Sequence, residues 1–173
     1  MDDEAGKYYA EITEDGDKVT GYAVNEYGEC VKELVTLEGY EEILRKGDKV
    51  INVHIPAHEP FTAEICEQSY ARAREVFAKC FPEYKYKAFC CFSWMIEKRL
   101  KPIMGRDTNI TKFADKFTGF PLKSSSSGVY SYLYHTNKKI PPAELPEGNS
   151  MQRAVKKFML DGNVFYEKGG LFL

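Results

Sequence analysis

The chain has 173 residues, 43% of them hydrophobic and 14% aromatic, with 24 basic against 26 acidic side chains and a formal net charge of −2. That size and apolar content suit one domain with a sizeable core, and the balanced charge, with no basic stripe, argues against a nucleic-acid partner. No apolar run approaches the roughly 20 residues a membrane helix needs, and the acidic start Met1-Asp2-Asp3-Glu4 lacks the basic and apolar regions of a secretory leader.

Residues 1–6 read as a loose terminus and 7–173 as a single domain. Lys7 to Thr13 alternates through Tyr8, Ala10 and Ile12 and reads as a strand. Glu14-Asp15-Gly16-Asp17 is a turn, and Lys18 to Glu26 returns as the second strand of a hairpin. Glu26-Tyr27-Gly28-Glu29 turns the chain again into a third strand, Cys30 to Leu37, which completes an antiparallel meander. Gly39 to Lys46 reads as a short helix stopped by Gly47. Asp48 to Ile55, with Val50, Ile51, Val53 and Ile55, reads as a strand buried on both faces and so central in its sheet.

Thr62 to Phe81 is the clearest helix. Cys66, Tyr70, Ala73, Phe77 and Cys80 form one apolar stripe; Thr62 is a cap with Pro60 just before it, and Pro82 ends the helix. Residues 86–93 form a fifth strand, so strand, helix and strand make a right-handed parallel crossover. Two helical pieces follow, near 95–101 and 109–117, broken around Pro102 and Gly105, with Asn109 as cap of the second. Ser124 to Gly128 reads as a flexible connection, Val129 to His135 as an alternating strand, and Lys138 to Gly148, with three prolines, as loop. Ser150 caps a last helix carrying Met151, Ala154, Val155, Phe158 and Met159. Val164 to Tyr166 and Leu171 to Leu173 read as a closing hairpin around Gly169-Gly170. The pattern is α+β: a mixed, mostly antiparallel central sheet flanked by helices.

The five cysteines, Cys30, Cys66, Cys80, Cys90 and Cys91, are odd in number and form no CxxC pair, which fits a reducing cytoplasm. Three histidines without neighbouring cysteines disfavour a structural zinc site. His54, near the end of its strand, is a candidate general base because imidazole titrates near neutrality; hydrogen bonding within a core is the plainer role. Glu59, in the loop beside His58, is placed for proton transfer or for gripping an amine, or is a solvated loop acid. The N-terminus of the 62–81 helix offers free N–H groups to a phosphate, although the loop before it has no glycine and Glu64 would repel an anion. Cys90 and Cys91 point to opposite faces of a strand; either is a candidate nucleophile or a small core residue. Trp94, after Ser93, could wall a pocket or sit in the core. Arg99, Lys101 and Arg106 could meet an acidic ligand or form a solvated face, and Gln152 could serve a ligand or face solvent. No Walker A, GxGxxG, HExxH or GxSxG pattern occurs.

At Val53-His54-Ile55-Pro56-Ala57, Phe81-Pro82-Glu83, Cys91-Phe92-Ser93-Trp94 and Met151-Gln152-Arg153-Ala154 the chain resembles the C-terminal GNAT-like domain of a family of bacterial acyltransferases, in which a smaller N-terminal domain precedes it. The resemblance runs from about Lys7 to the end. It implies the acyl-CoA N-acyltransferase fold, acetyl-CoA or another acyl-CoA as substrate, a small-molecule amine as acceptor, and a separate N-terminal domain as partner. In that picture His54 or Glu59 removes a proton from the amine, which attacks the thioester carbonyl. Backbone N–H groups near His54 to Pro56 polarise that carbonyl, and Tyr130 or Tyr132 protonates the departing thiolate. Ile55, Pro56, Thr62, Ala63, Ser93 and Trp94 hold the cofactor. The Arg/Gln-x-x-Gly-x-Gly/Ala signature of the superfamily is absent at 56–63. A non-catalytic GNAT-like module that binds a ligand or packs on a partner domain is therefore the second reading, and thiol chemistry at Cys90 or Cys91 the third.

Overall fold

The computed structural model describes residues 11–56, 61–123 and 126–173. Its first sheet is the expected meander: β1 (Ile12–Asp15), β2 (Lys18–Val24) and β3 (Cys30–Thr36), antiparallel in that order. Lys7 to Ala10, expected to begin β1, lie outside the described residues. The β2–β3 turn is built by Asn25, whose side-chain oxygen accepts the N–H groups of Tyr27 and Glu29 at 3.0 Å each. Gly28 closes it at φ +75°, with its Cα packed on the backbone of Gly119; a side chain at Gly28 would be strained in conformation and crowded in space.

The helix expected at Gly39–Lys46 does not form. Tyr40 and Ile43 stay exposed and find no core to pack on, and a helix of that length gains its stability mainly from packing. A local turn satisfies the segment instead: the Asp48 carboxylate accepts the Arg45 N–H at 2.8 Å, and Arg45 pairs with Glu42 at 2.6 Å.

The second sheet opens with β4 (Val50–Asn52), which passes through α1 (Ala63–Cys80) to β5 (Ala88–Ser93). β4 and β5 pair in parallel, as the crossover pattern requires. Thr62 caps α1 by accepting the Ile65 N–H at 3.2 Å. The α1 stripe packs on this sheet, with Tyr70 against Phe89 and Phe172 at ring separations of 5.7 and 4.8 Å. Cys80, last in the stripe, is exposed.

Three short turns of helix follow, the last being α2 (Lys101–Met104), and then α3 (Asn109–Lys116), which Thr108 caps, one residue before the expected Asn109. β6 (Thr118–Pro121), not foreseen in the sequence, leads to α4 (Ser127–Leu133). The strand expected at Val129–His135 is therefore helical. Its apolar residues satisfy both periods: Val129, Tyr130 and Tyr134 turn inward together on a helix. α5 (Ser150–Leu160) is capped by Asn149 rather than Ser150, again one residue earlier. β7 (Lys168–Phe172) runs straight through Gly169-Gly170, where a terminal hairpin was expected. Those glycines are there for space: a Cβ on Gly169 would enter the Phe120 ring, and one on Gly170 would stand 2.8 Å from the Phe117 Cβ.

The strand order is β4-β5-β7-β6, with β5–β7 and β7–β6 antiparallel. β4 is thus an edge strand among the described residues, not the central strand expected; β5 and β7 hold the centre. One aromatic cluster, around Tyr70, Phe89, Phe117 and Phe172, lies against α1 and α3. A second, around Trp94, Tyr130, Phe158 and Phe165, lies among α2, α4 and α5. Between meander and core, a buried ion cluster ties the β2–β3 turn down. The Arg99 guanidinium grips Glu97 with two bonds of 2.9 and 2.7 Å and reaches Glu29 at 3.2 Å. Lys168 meets Glu97 at 3.0 Å and donates to the Tyr27 carbonyl at 2.6 Å.

Candidate functional site

β4 and β5 are joined only as far as the bond from Val53 N–H to the Cys90 carbonyl, 2.7 Å. Beyond it the two segments diverge, and a cleft of about 380 Å³ opens between residues 53–56 and 91–95. A volume of that order falls in the range of small-molecule sites, about 300–1,000 Å³. Tyr132 of α4 and Glu167, just before β7, complete its walls.

Six of the candidate residues meet here: His54, Ile55, Pro56, Ser93, Trp94 and Tyr132. His54 lies two residues past β4 and is exposed, so it is not the core histidine of the plainer reading. The Asn52 side-chain amide nitrogen stands 3.0 Å from its Nε2. Tyr132 is 74% exposed at the rim. Tyr130, its alternative, is 3% exposed and donates to the Ile140 carbonyl at 3.2 Å inside the core. Trp94 plays both roles weighed for it: it walls the cleft and packs edge-on against Phe165 at 6.1 Å. The Ser93 hydroxyl caps the short turn that follows by accepting the Met95 N–H at 3.1 Å.

The other candidates go elsewhere. Thr62 and Ala63 start α1 and are not among the residues lining the cleft. Glu59 and His58 lie outside the described residues. Cys91 lines the cleft, but burial pushes its thiol up to about 11, and burial also raises Cys90. At neutral pH that leaves roughly one Cys91 in ten thousand as thiolate, so nucleophilic thiol chemistry has no support here. Arg99 is spent in the buried ion cluster, and Lys101 pairs with Asp115 at 2.5 Å. Gln152 accepts the Gly148 N–H at 2.8 Å and donates to the Leu133 carbonyl at 3.2 Å, a structural role. Among the described residues no three His, Cys, Asp or Glu side chains gather as a metal site, and no helix is long and apolar enough to cross a membrane.

Glu167 was missed in the sequence. It sits between two aromatic residues and a lysine with no motif around it, and only the pairing of β7 beside β5 carries it to the cleft.

The fold resembles solved acyltransferases. One, in complex with decanoyl-CoA, superposes with a TM-score of 0.64 at 21% identity, over 93% of this chain and 45% of that one. A second complex, with decanoyl-CoA and teicoplanin, gives 0.60 at 21% identity, over 92% and 46%. A mutant acyltransferase in complex with octanoyl-CoA gives 0.60 at 20% identity, also over 92% and 46%. The chain spans less than half the length of these proteins. No curated protein matches it in sequence. The model of the GNAT-like C-terminal domain family matches residues 11–172, and the chain belongs to that family.

Proposed function

We propose that the chain transfers an acyl group from an acyl-CoA thioester to an amine acceptor by direct attack. The observation that carries this reading is the cleft formed where β4 and β5 part, with His54 on one wall and Tyr132 opposite. The likeness in fold to acyltransferases solved with decanoyl- and octanoyl-CoA supports it. An extended thioester arm lying between the parted strands can pair with backbone groups that β4 and β5 no longer offer one another. Val53 N–H points at β5, so the alternation of extended chain aims the Ile55 N–H into the gap. That donor faces the thioester carbonyl as negative charge develops on its oxygen. Pro56 has no N–H and contributes only its ring. The first turn of α1, at Thr62 and Ala63, is the end assigned to the phosphates.

In the step itself the amine nitrogen bonds to the thioester carbon and gives its proton to His54. The carbon–sulfur bond breaks, and the CoA thiolate takes a proton from the Tyr132 hydroxyl. Amide, free thiol, protonated His54 and ionised Tyr132 result, and proton exchange with water resets both side chains. The greater length of the solved relatives supports a separate domain as partner.

Calorimetry with CoA, acetyl-CoA, octanoyl-CoA and decanoyl-CoA tests the reading. Micromolar binding of one thioester, weakened by Trp94→Ala, is the expected result. No binding up to millimolar concentration, alone or with the partner domain, overturns it in favour of a non-catalytic module.

A further inference from the structure

We infer that Met95 is the end stop for the acyl tail, so that the donor carries an unbranched apolar chain whose length this side chain sets. The inference deepens the acyltransferase reading and rests on it, and the closing experiment tells the failure of one from the failure of the other. His54 and Tyr132 stand exposed at the mouth of the cleft, so a thioester held between them has its tail to place further in. The inner wall there is apolar: Val53 and Ile55 on one side, Cys91, Trp94 and Met95 on the other.

Each of these five side chains also belongs to an aromatic core. Val53, Ile55 and Cys91 pack with the cluster of Tyr70, Phe89, Phe117 and Phe172, and Trp94 with that of Phe158 and Phe165. Among the described residues, Met95 alone borders the cleft and both clusters. It plugs the seam where the two cores meet behind the cleft. Its backbone is fixed in the short turn Trp94–Ile96, where its N–H donates to the Ser93 hydroxyl at 3.1 Å. Its side chain is partly buried, unbranched and free to change shape. The clusters behind it are rings packed on rings, Phe89 on Phe172 at 4.9 Å and Phe158 on Phe165 at 4.5 Å. A core packed this way has no spare room for further methylenes. A tail that runs inward along the apolar wall therefore ends at Met95.

Straight-chain acyl-CoAs from acetyl to dodecanoyl, titrated by calorimetry, test this. Each added methylene should tighten binding about fourfold while the tail lies on the apolar wall, and the gain should stop at one length. Met95→Ala opens an apolar space in the seam and should move that stop to a tail longer by about three carbons, the reach of the atoms removed. Met95→Gln, equal in length to the parent side chain but polar at its end, should keep the stop in place. It should weaken, by about tenfold, only the acyl-CoAs whose tails reach it. It is the deciding variant should Met95→Ala fail to fold. No gain with length in the unaltered chain, a stop unmoved in Met95→Ala, or a Met95→Gln variant that weakens acetyl-CoA as much as the tightest binder overturns the inference and leaves the acyltransferase reading standing. Binding of no acyl-CoA at any length removes that reading and this inference together.

Discussion

The Asn52 amide nitrogen lies 3.0 Å from His54 Nε2; its N–H donates to that nitrogen, and the lone pair is open to the acceptor amine's proton once this bond gives way. The pair fixes the plane of an exposed ring at the mouth of the cleft. For a base held this way, His54→Ala should lower turnover by about a hundredfold or more. Because the ring is exposed, the melting temperature should move little. Asn52→Ala leaves the base in place but unheld, and should lower kcat several-fold with acyl-CoA affinity unchanged. Single-turnover rates beside binding isotherms separate the two. Full turnover in His54→Ala would remove His54 from the mechanism.

The two tyrosines of α4 should part company when each loses its hydroxyl. Tyr132→Phe, at the rim, should slow thiol release and leave stability alone. Tyr130→Phe leaves the Ile140 carbonyl without its donor and should cost about 1 kcal/mol of stability with turnover unchanged. Thermal melts and CoA-release assays on both variants check the contrast. Loss of activity in Tyr130→Phe alone would reverse the assignment.

The elements legible in the sequence were those whose signals are local. The Asp-Gly hairpin, the meander, the capped stripe of α1 and the crossover into β5 all depend on spacing within one segment, and each formed. The failures share a different cause. Val129 to Tyr134 fits period 2 and period 3.6 equally, and burial among α2 and α5 decides for helix. Gly169-Gly170 reads as a turn until Phe117, at the end of α3, and Phe120 of β6 occupy the space that missing side chains leave. Likewise Val50 to Ile55 is apolar enough for a central strand, but among the described residues it pairs on one side only and then leaves β5. The site followed the same division. His54, Ser93 and Trp94 line the cleft because they follow or end strands, and strand ends are visible in sequence. Glu167 was not, because only the placement of β7 brings it to the cleft.

Thiol reactivity offers an independent reading of the same geometry. Cys80 is exposed at the end of α1, whereas Cys91 is buried with its thiol raised to about 11 by burial. Brief treatment with a maleimide at pH 7 should label Cys80 first and Cys91 last, with the rates differing by about a hundredfold or more. Mass mapping of the modified peptides gives the order. Occupancy of the cleft by an acyl-CoA should slow Cys91 further and leave Cys80 unchanged. Early labelling of Cys91 would mean that the cleft floor opens in solution and that thiol chemistry deserves its place again.

The ion cluster under the β2–β3 turn sets how stability depends on pH. Burial alone would raise the Glu97 carboxyl, but the Arg99 fork, helped by Lys168, outweighs it and holds the group below its ordinary 4.5. A carboxyl lowered by folding contributes stability that is fully present above pH 4.5 and is lost as pH falls through the folded-state value. Lys168 runs the other way: burial lowers its ammonium despite Glu97, so its own linkage favours the fold as pH rises toward 10.5 and gives no loss in acid. Glu97→Gln strands two buried cations at neutral pH and should cost about 3 kcal/mol or more, a fall in melting temperature of about 10 °C for a domain of this size. The gap between variant and parent should close as pH drops below 4.5, because the parent then loses the same charge by protonation. Melts at pH 7, 5, 4 and 3.5 decide the matter. A gap that stays constant down to pH 3.5 would show that folding does not lower the Glu97 carboxyl, and that the meander is held to the core by Gly28 on Gly119 rather than by charge.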